Sequence, residues 1–186
     1  MVTLAWRVAL ISMFSAVTVA SNYALLPFFQ IKLMDPLVFV SAYLLGFWSG
    51  CCVAALTWLV YGTVNPLGSA GFPLLLILMV GEMIYAAFGS LLSRSWNRYT
   101  DFKIGKHLLE KRMILGVLGL ISAVIYDVWT NAINGLLVYQ SIKGVLVMIL
   151  SGIYFAIIHE VADFLLFFLV VPLLIVTVNR SMRYHQ

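Results

Sequence analysis

Four carboxyl groups lie inside stretches otherwise made of apolar residues: Glu82, Asp127, Glu160 and Asp163. At the centre of a membrane span such a group costs about 2.5 to 3.5 kcal/mol on insertion scales, so it faces the interior of a helix bundle and marks function by default. Asp127, Asn131 and Asn134 fall at i, i+4 and i+7, one stripe of a helix, with Thr130 beside it. His159 and Asp163 share a face at i and i+4, and Glu160 sits about 100° round the same helix. Trp58, Tyr61 and Asn65 recur at spacings of three and four, while Tyr126 and Trp129 supply rings at the depth of the acids. Carboxylates, amides and rings converging at one level describe a cavity for a ligand with cationic or hydrogen-bond-donor character and an aromatic system. The predicted polar contacts are Glu82, Asp127, Asn131, His159 and Asp163; the predicted stacking surfaces are Trp58, Tyr61 and Trp129.

Taken singly, each residue has a purely structural reading. An Asn or Thr within a span commonly makes an interhelical hydrogen bond, and Asp127 can brace the bundle. His159 and Asp163 have the spacing of a metal pair, but two ligands without a third do not define a site; neither a metal nor another cofactor is expected. The weight lies in the set: several helices put polar groups at one depth, and no Lys or Arg lies there to neutralise them. Enzyme chemistry has no visible apparatus. The sequence lacks G-x-x-x-x-G-K-[ST], H-E-x-x-H and G-x-S-x-G, and the His159–Glu160 pair has no second histidine. The chain is therefore read as a non-enzyme, and any uphill movement of a solute would draw on ion coupling or on another subunit.

The elements that must position these groups follow from composition. With 63% hydrophobic and 10% charged residues and a mean hydropathy of +1.06, the 186 residues read as one all-α integral membrane domain. The net charge of +4 comes from the loop and tails rather than from a basic face with stacking rings, so nucleic acid is not an expected partner. Cys51 and Cys52 read as small apolar residues. Residues 93–112 carry Arg94, Arg98, Lys103, Lys106, Lys111 and Arg112 against Asp101 and Glu110. Basic residues beside spans stay cytoplasmic, so this loop fixes the orientation and places both termini inside.

Six transmembrane helices then fit, at about 4–26, 36–49, 51–64, 74–92, 113–136 and 158–178, with an outward-facing cavity. The first is read as a retained helix rather than a removed signal peptide. On it Ser12, Ala16, Ala20 and Ala24 form a row of small residues that either packs within the bundle or docks a separate membrane subunit. The segment from Pro27 to Pro36 is an outer loop, either an interface anchor or a lid. Gly144 to Phe155 is read as a surface or re-entrant helix, because a further span would carry Arg180 and Arg183 to the wrong side.

In order and spacing, several short motifs resemble the substrate-binding S components of energy-coupling factor (ECF) vitamin transporters. They are the Ala16–Ala20 pair, the DP at Asp35 and Pro36, LLGFWSG at 44–50, NPLG at 65–68, the basic loop, and IIHEVADFLLF opening the last helix. The resemblance implies six helices, termini inside, a vitamin site capped by the loop after the first helix, and docking through Ala16 and Ala20 to a transmembrane coupling subunit driven by two cytoplasmic ATPases. The expected role is a receptor in the plasma or inner membrane for a small water-soluble vitamin or precursor, possessing no ATPase of its own. Acidity and rings suggest a thiamine-like or other cationic nitrogen heterocycle. The rival expectation is a stand-alone ion-coupled carrier or channel that uses the same carboxylates as proton relays.

Overall fold

The computed structural model describes residues 3–96 and 107–183, and these form seven α-helices. They are α1 Leu4–Ala24, α2 Met34–Leu45, α3 Phe47–Thr63, α4 Phe72–Ser95, α5 Leu108–Tyr139, α6 Ile142–Leu169 and α7 Val171–Arg183. Four of them, α1, α4, α5 and α6, are long and apolar enough to cross a membrane. Arg98, Asp101, Lys103 and Lys106 of the predicted basic loop lie outside the described residues.

Successive legs alternate in direction. Asn22 near the end of α1 meets Met34 at the start of α2, and the Tyr23 hydroxyl donates to the Val64 carbonyl just past α3. Gly62 of α3 lies against Leu75 of α4, and Gly135 of α5 lies against Gly144 of α6. Two ends can therefore be told apart: one carries the loop at residues 25–33, the other the ends of α4 and α5 that flank the basic segment.

At the centre stands α2, every residue of which is buried. Its 12 residues make a helix about 18 Å long, well short of the roughly 30 Å hydrocarbon layer. A helix so short is tolerated because protein rather than lipid covers its ends. The Arg7 guanidinium donates to the Leu45 carbonyl at 2.5 Å, putting a cation on the negative end of α2. Gly46, at φ 95°, then reverses the chain into α3 in a conformation a side chain would resist. Below the level of Asp35 the helices cross at close quarters: Gly89 of α4 abuts the backbone carbonyl of Phe39, and Gly119 of α5 abuts the Phe167 ring.

The long antiparallel pair α5–α6 differs from the expected outline. Ile142–Leu169 is one unbroken helix, so Gly144 to Phe155 is its first half and not a separate surface or re-entrant element. Ser141 caps it by accepting from the Gly144 N–H at 3.1 Å, and no proline follows for seven turns. The break comes later, at Val170, where Pro172 offers no N–H and its ring obstructs the preceding turn. The predicted span 158–178 thus straddles two helices. The Arg112 guanidinium lies 6.0 Å from the Phe168 ring centroid, so α6 ends level with the start of α5. A buried stripe at spacing four runs through the break as His159, Asp163, Phe167, Val171, Ile175 and Asn179.

On α1 the buried face is Leu10, Phe14, Thr18 and Asn22, whereas Ser12, Ala16, Ala20 and Ala24 are all exposed. The small-residue row is therefore not consumed by packing within the bundle.

Candidate functional site

Four helices, α2, α4, α5 and α6, bring a cluster of acids around one imidazole. His159 Nδ1 lies 3.0 Å from Asp127 Oδ2, and its Nε2 lies 3.2 Å from Asp35 Oδ2 and 3.9 Å from Asp163 Oδ2. The Tyr85 hydroxyl donates to Asp163 Oδ2 at 2.6 Å, and the Trp58 indole N–H donates to Glu82 Oε2 at 3.3 Å. One ligand atom each from Asp35, His159 and Asp163 lie within 4.8 Å of one another. The Tyr126 ring stands edge-on to the imidazole, 5.7 Å between centroids. Asp35 enters from the first turn of α2, where a carboxylate meets the positive end of the helix. Glu82 and Tyr85 share a face of α4 at i and i+3, and His159 and Asp163 share one of α6 at i and i+4.

Above this cluster folds the loop at 25–33. It bounds two cavities, one of about 200 Å³ bordered by Asn22, Lys32, Trp58, Tyr61 and Asn65, the other of about 290 Å³ bordered by Asp127, Asn131, Gly152 and Phe155. Phe29 and Gln30 line both and stand between them. Gln30 holds a left-handed φ of 59°, and the Phe29 ring lies 5.1 Å from that of Phe155, latching the loop to α6. Lys32 puts its ammonium 5.6 Å from the centroid of the Trp58 ring, within cation–π range. Tyr23 and Trp58 both meet Tyr61 edge to face, so three rings wall that side.

The site thus has two storeys rather than the single polar cavity expected. Trp58 and Tyr61 line the first cavity, Asp127 and Asn131 the second. Glu82, His159 and Asp163 lie deeper, exposed to 3% or less, while the Asp127 side chain keeps 15%. Trp129 is placed elsewhere: its indole N–H donates to the Ile77 carbonyl at 3.1 Å on the side that meets α4. The Asn131 amide donates back to the Asp127 carbonyl of its own helix at 2.8 Å, and the Thr130 hydroxyl does likewise to Tyr126. Glu160 is part-buried on the neighbouring face of α6.

Sequence reasoning missed Asp35 and Tyr85. Asp35 precedes a proline and reads as the end of a loop; its signal was a carboxylate opening an apolar run. Tyr85 could have been found from its i+3 spacing to Glu82. No protein-family model, curated protein or solved structure matches the chain.

Proposed function

We propose that this chain is a membrane-embedded receptor that takes up a small cationic or donor-rich solute beneath the 25–33 loop, as the solute-binding subunit of an importer of the ECF kind. The observation that carries the reading is the pair of cavities sharing Phe29 and Gln30 directly over the acid cluster. Moving that one loop would merge them into a single chamber with Trp58 and Tyr61 on one wall and Asp127 and Asn131 on the other. Lys32 supports the charge preference, since the protein already sets an ammonium on the Trp58 ring, whose indole N–H is tied to Glu82. A cationic heterocycle can take over that ring face when the loop opens.

In this reading the basic end is cytoplasmic, the loop faces the outside of the plasma or inner membrane, and the six legs α1 to α6 cross the bilayer. The exposed row Ser12, Ala16, Ala20 and Ala24 supports docking to a coupling subunit with its two ATPases, because small side chains let a partner helix approach closely. The test is mass spectrometry of small molecules released when the purified chain is denatured. One retained solute per chain is expected, falling at least tenfold in Asp127→Asn and in Trp58→Leu but not in Ala16→Leu, which should instead lose the coupling subunit on purification. Retention of no solute by the wild type would sink the receptor reading.

A second reading is favoured by the deep storey, where His159 bridges Asp127 and Asp35 in a route for a proton. A stand-alone ion-coupled carrier would move solute in vesicles containing this chain alone, driven by a proton or sodium gradient and indifferent to ATPases.

A further inference from the structure

In the deep storey several carboxyl groups share one imidazole, and the role of each ring nitrogen depends on where its proton sits. With its proton on Nδ1, donated to Asp127 Oδ2, the imidazole turns the lone pair of Nε2 toward Asp35 Oδ2 at 3.2 Å and Asp163 Oδ2 at 3.9 Å. Three acceptors then face one another in a site that solvent barely reaches. Asp163 is 1% exposed and its Oδ1 has no hydrogen-bond partner; Glu82 is fully buried and its Oε1 has none either. Buried charges and acceptors without compensation are costly, so something positive belongs among them.

We infer that Asp35, His159 and Asp163 form a site for a divalent first-row metal ion, with Asp127 orienting the histidine from behind. The donor atoms of these three side chains all lie within 4.8 Å of one another. Donors bonded at roughly 2.0 to 2.2 Å to one ion stand about 3 to 3.5 Å apart, so only a small contraction is required. An imidazole that presents one nitrogen to the ion and gives its other N–H to a carboxylate is the usual arrangement around such metals. Tyr85, donating to Asp163 at 2.6 Å, holds that ligand in the same way. One nitrogen and two carboxylates suit manganese, iron or zinc better than a soft ion that prefers sulfur. The ion would also cancel two of the negative charges. Its path inward runs past Asp127, which lines a cavity.

The inference concerns the deep half of the proposed receptor site but does not depend on import, and the two fail separately. Purified full-length protein, stripped with chelator, would be titrated with Mn²⁺ alone and with Zn²⁺ alone, with no solute present. One equivalent per chain is expected. Asp127→Asn should weaken binding 10- to 100-fold, and Asp163→Asn and His159→Gln should weaken it more. Pulsed EPR of the Mn²⁺-loaded wild type, which needs no variant to fold, should show one directly bonded nitrogen. Absence of stoichiometric uptake, absence of that nitrogen, or equal uptake by a folded His159→Gln would overturn the proposal and leave a proton as the only occupant. Metal uptake without any retained solute would keep this inference and remove the receptor; solute retained by a chain that binds no metal would do the reverse.

Discussion

Two layers of the same four helices, about one to two turns apart, solve the problem of burial by opposite means. In the lower layer α2, α4, α5 and α6 contribute Phe39, Gly89, Gly119 and Phe167, and closeness is the whole device: the Phe39 and Phe167 rings stand 5.0 Å apart, and the glycines leave no room for a side chain. In the upper layer the same helices contribute Asp35, Glu82, Asp127 and His159, and the device is direction, since the Trp58 indole and the His159 ring are aimed at carboxylate oxygens. The lower layer resists a change of volume. The upper one resists a change of charge. A site that must bind and release belongs in the upper kind, because its energy changes when a proton or an ion comes or goes.

The sharpest way to break this contrast is to remove the imidazole. His159→Ala leaves Asp35, Asp127 and Asp163 facing a void without their common partner. Removing one member of a buried ionic group costs about 3 to 5 kcal/mol, measurable as a fall in unfolding free energy in mixed micelles. Gly119→Leu comes next: a β-carbon there would sit 2.5 Å from the Phe167 ring, and overpacking of this type costs about 1 to 3 kcal/mol. Metal uptake should be lost in the first variant and kept in the second. If Gly119→Leu proved the more destabilising of the two, the upper layer would not depend on its histidine and the contrast would dissolve.

How far these layers were legible in the sequence depended on whether a signal was local. The apolar runs announced the helices, and the cost of a carboxylate among them announced Glu82, Asp127 and Asp163. His159 followed from its i, i+4 spacing to Asp163. What could not be read was tertiary. Nothing in MDPLVFVSAYLL says that all twelve residues will be wrapped by neighbours, and only that wrapping draws Asp35 from an apparent loop into the cluster. The division of the last span was local and legible in principle, because Pro172 stood in the middle of it. The continuity of residues 142–169 was hidden by an argument on charge that began the returning leg at residue 158.

Trp129 gives the smallest expected effect and the cleanest test of which face of α5 belongs to the site. It lies two residues from Asp127, and positions i and i+2 point to nearly opposite sides of a helix. In agreement with that, its indole N–H reaches the Ile77 carbonyl across the contact with α4, and its ring lies against Gly81. Trp129→Phe keeps most of the ring and removes one interhelical hydrogen bond, a loss of about 0.6 kcal/mol by the average for such bonds in membranes. Solute retention and metal uptake should both match the wild type. Trp58→Phe likewise trims the ring and removes one N–H, but that N–H holds Oε2 of the fully buried Glu82 carboxyl, so solute retention should fall and stability should drop by about 1 to 3 kcal/mol. Equal effects of the two on solute retention would mean that stacking alone, and not the geometry of the acid beneath it, sets the affinity of the upper storey.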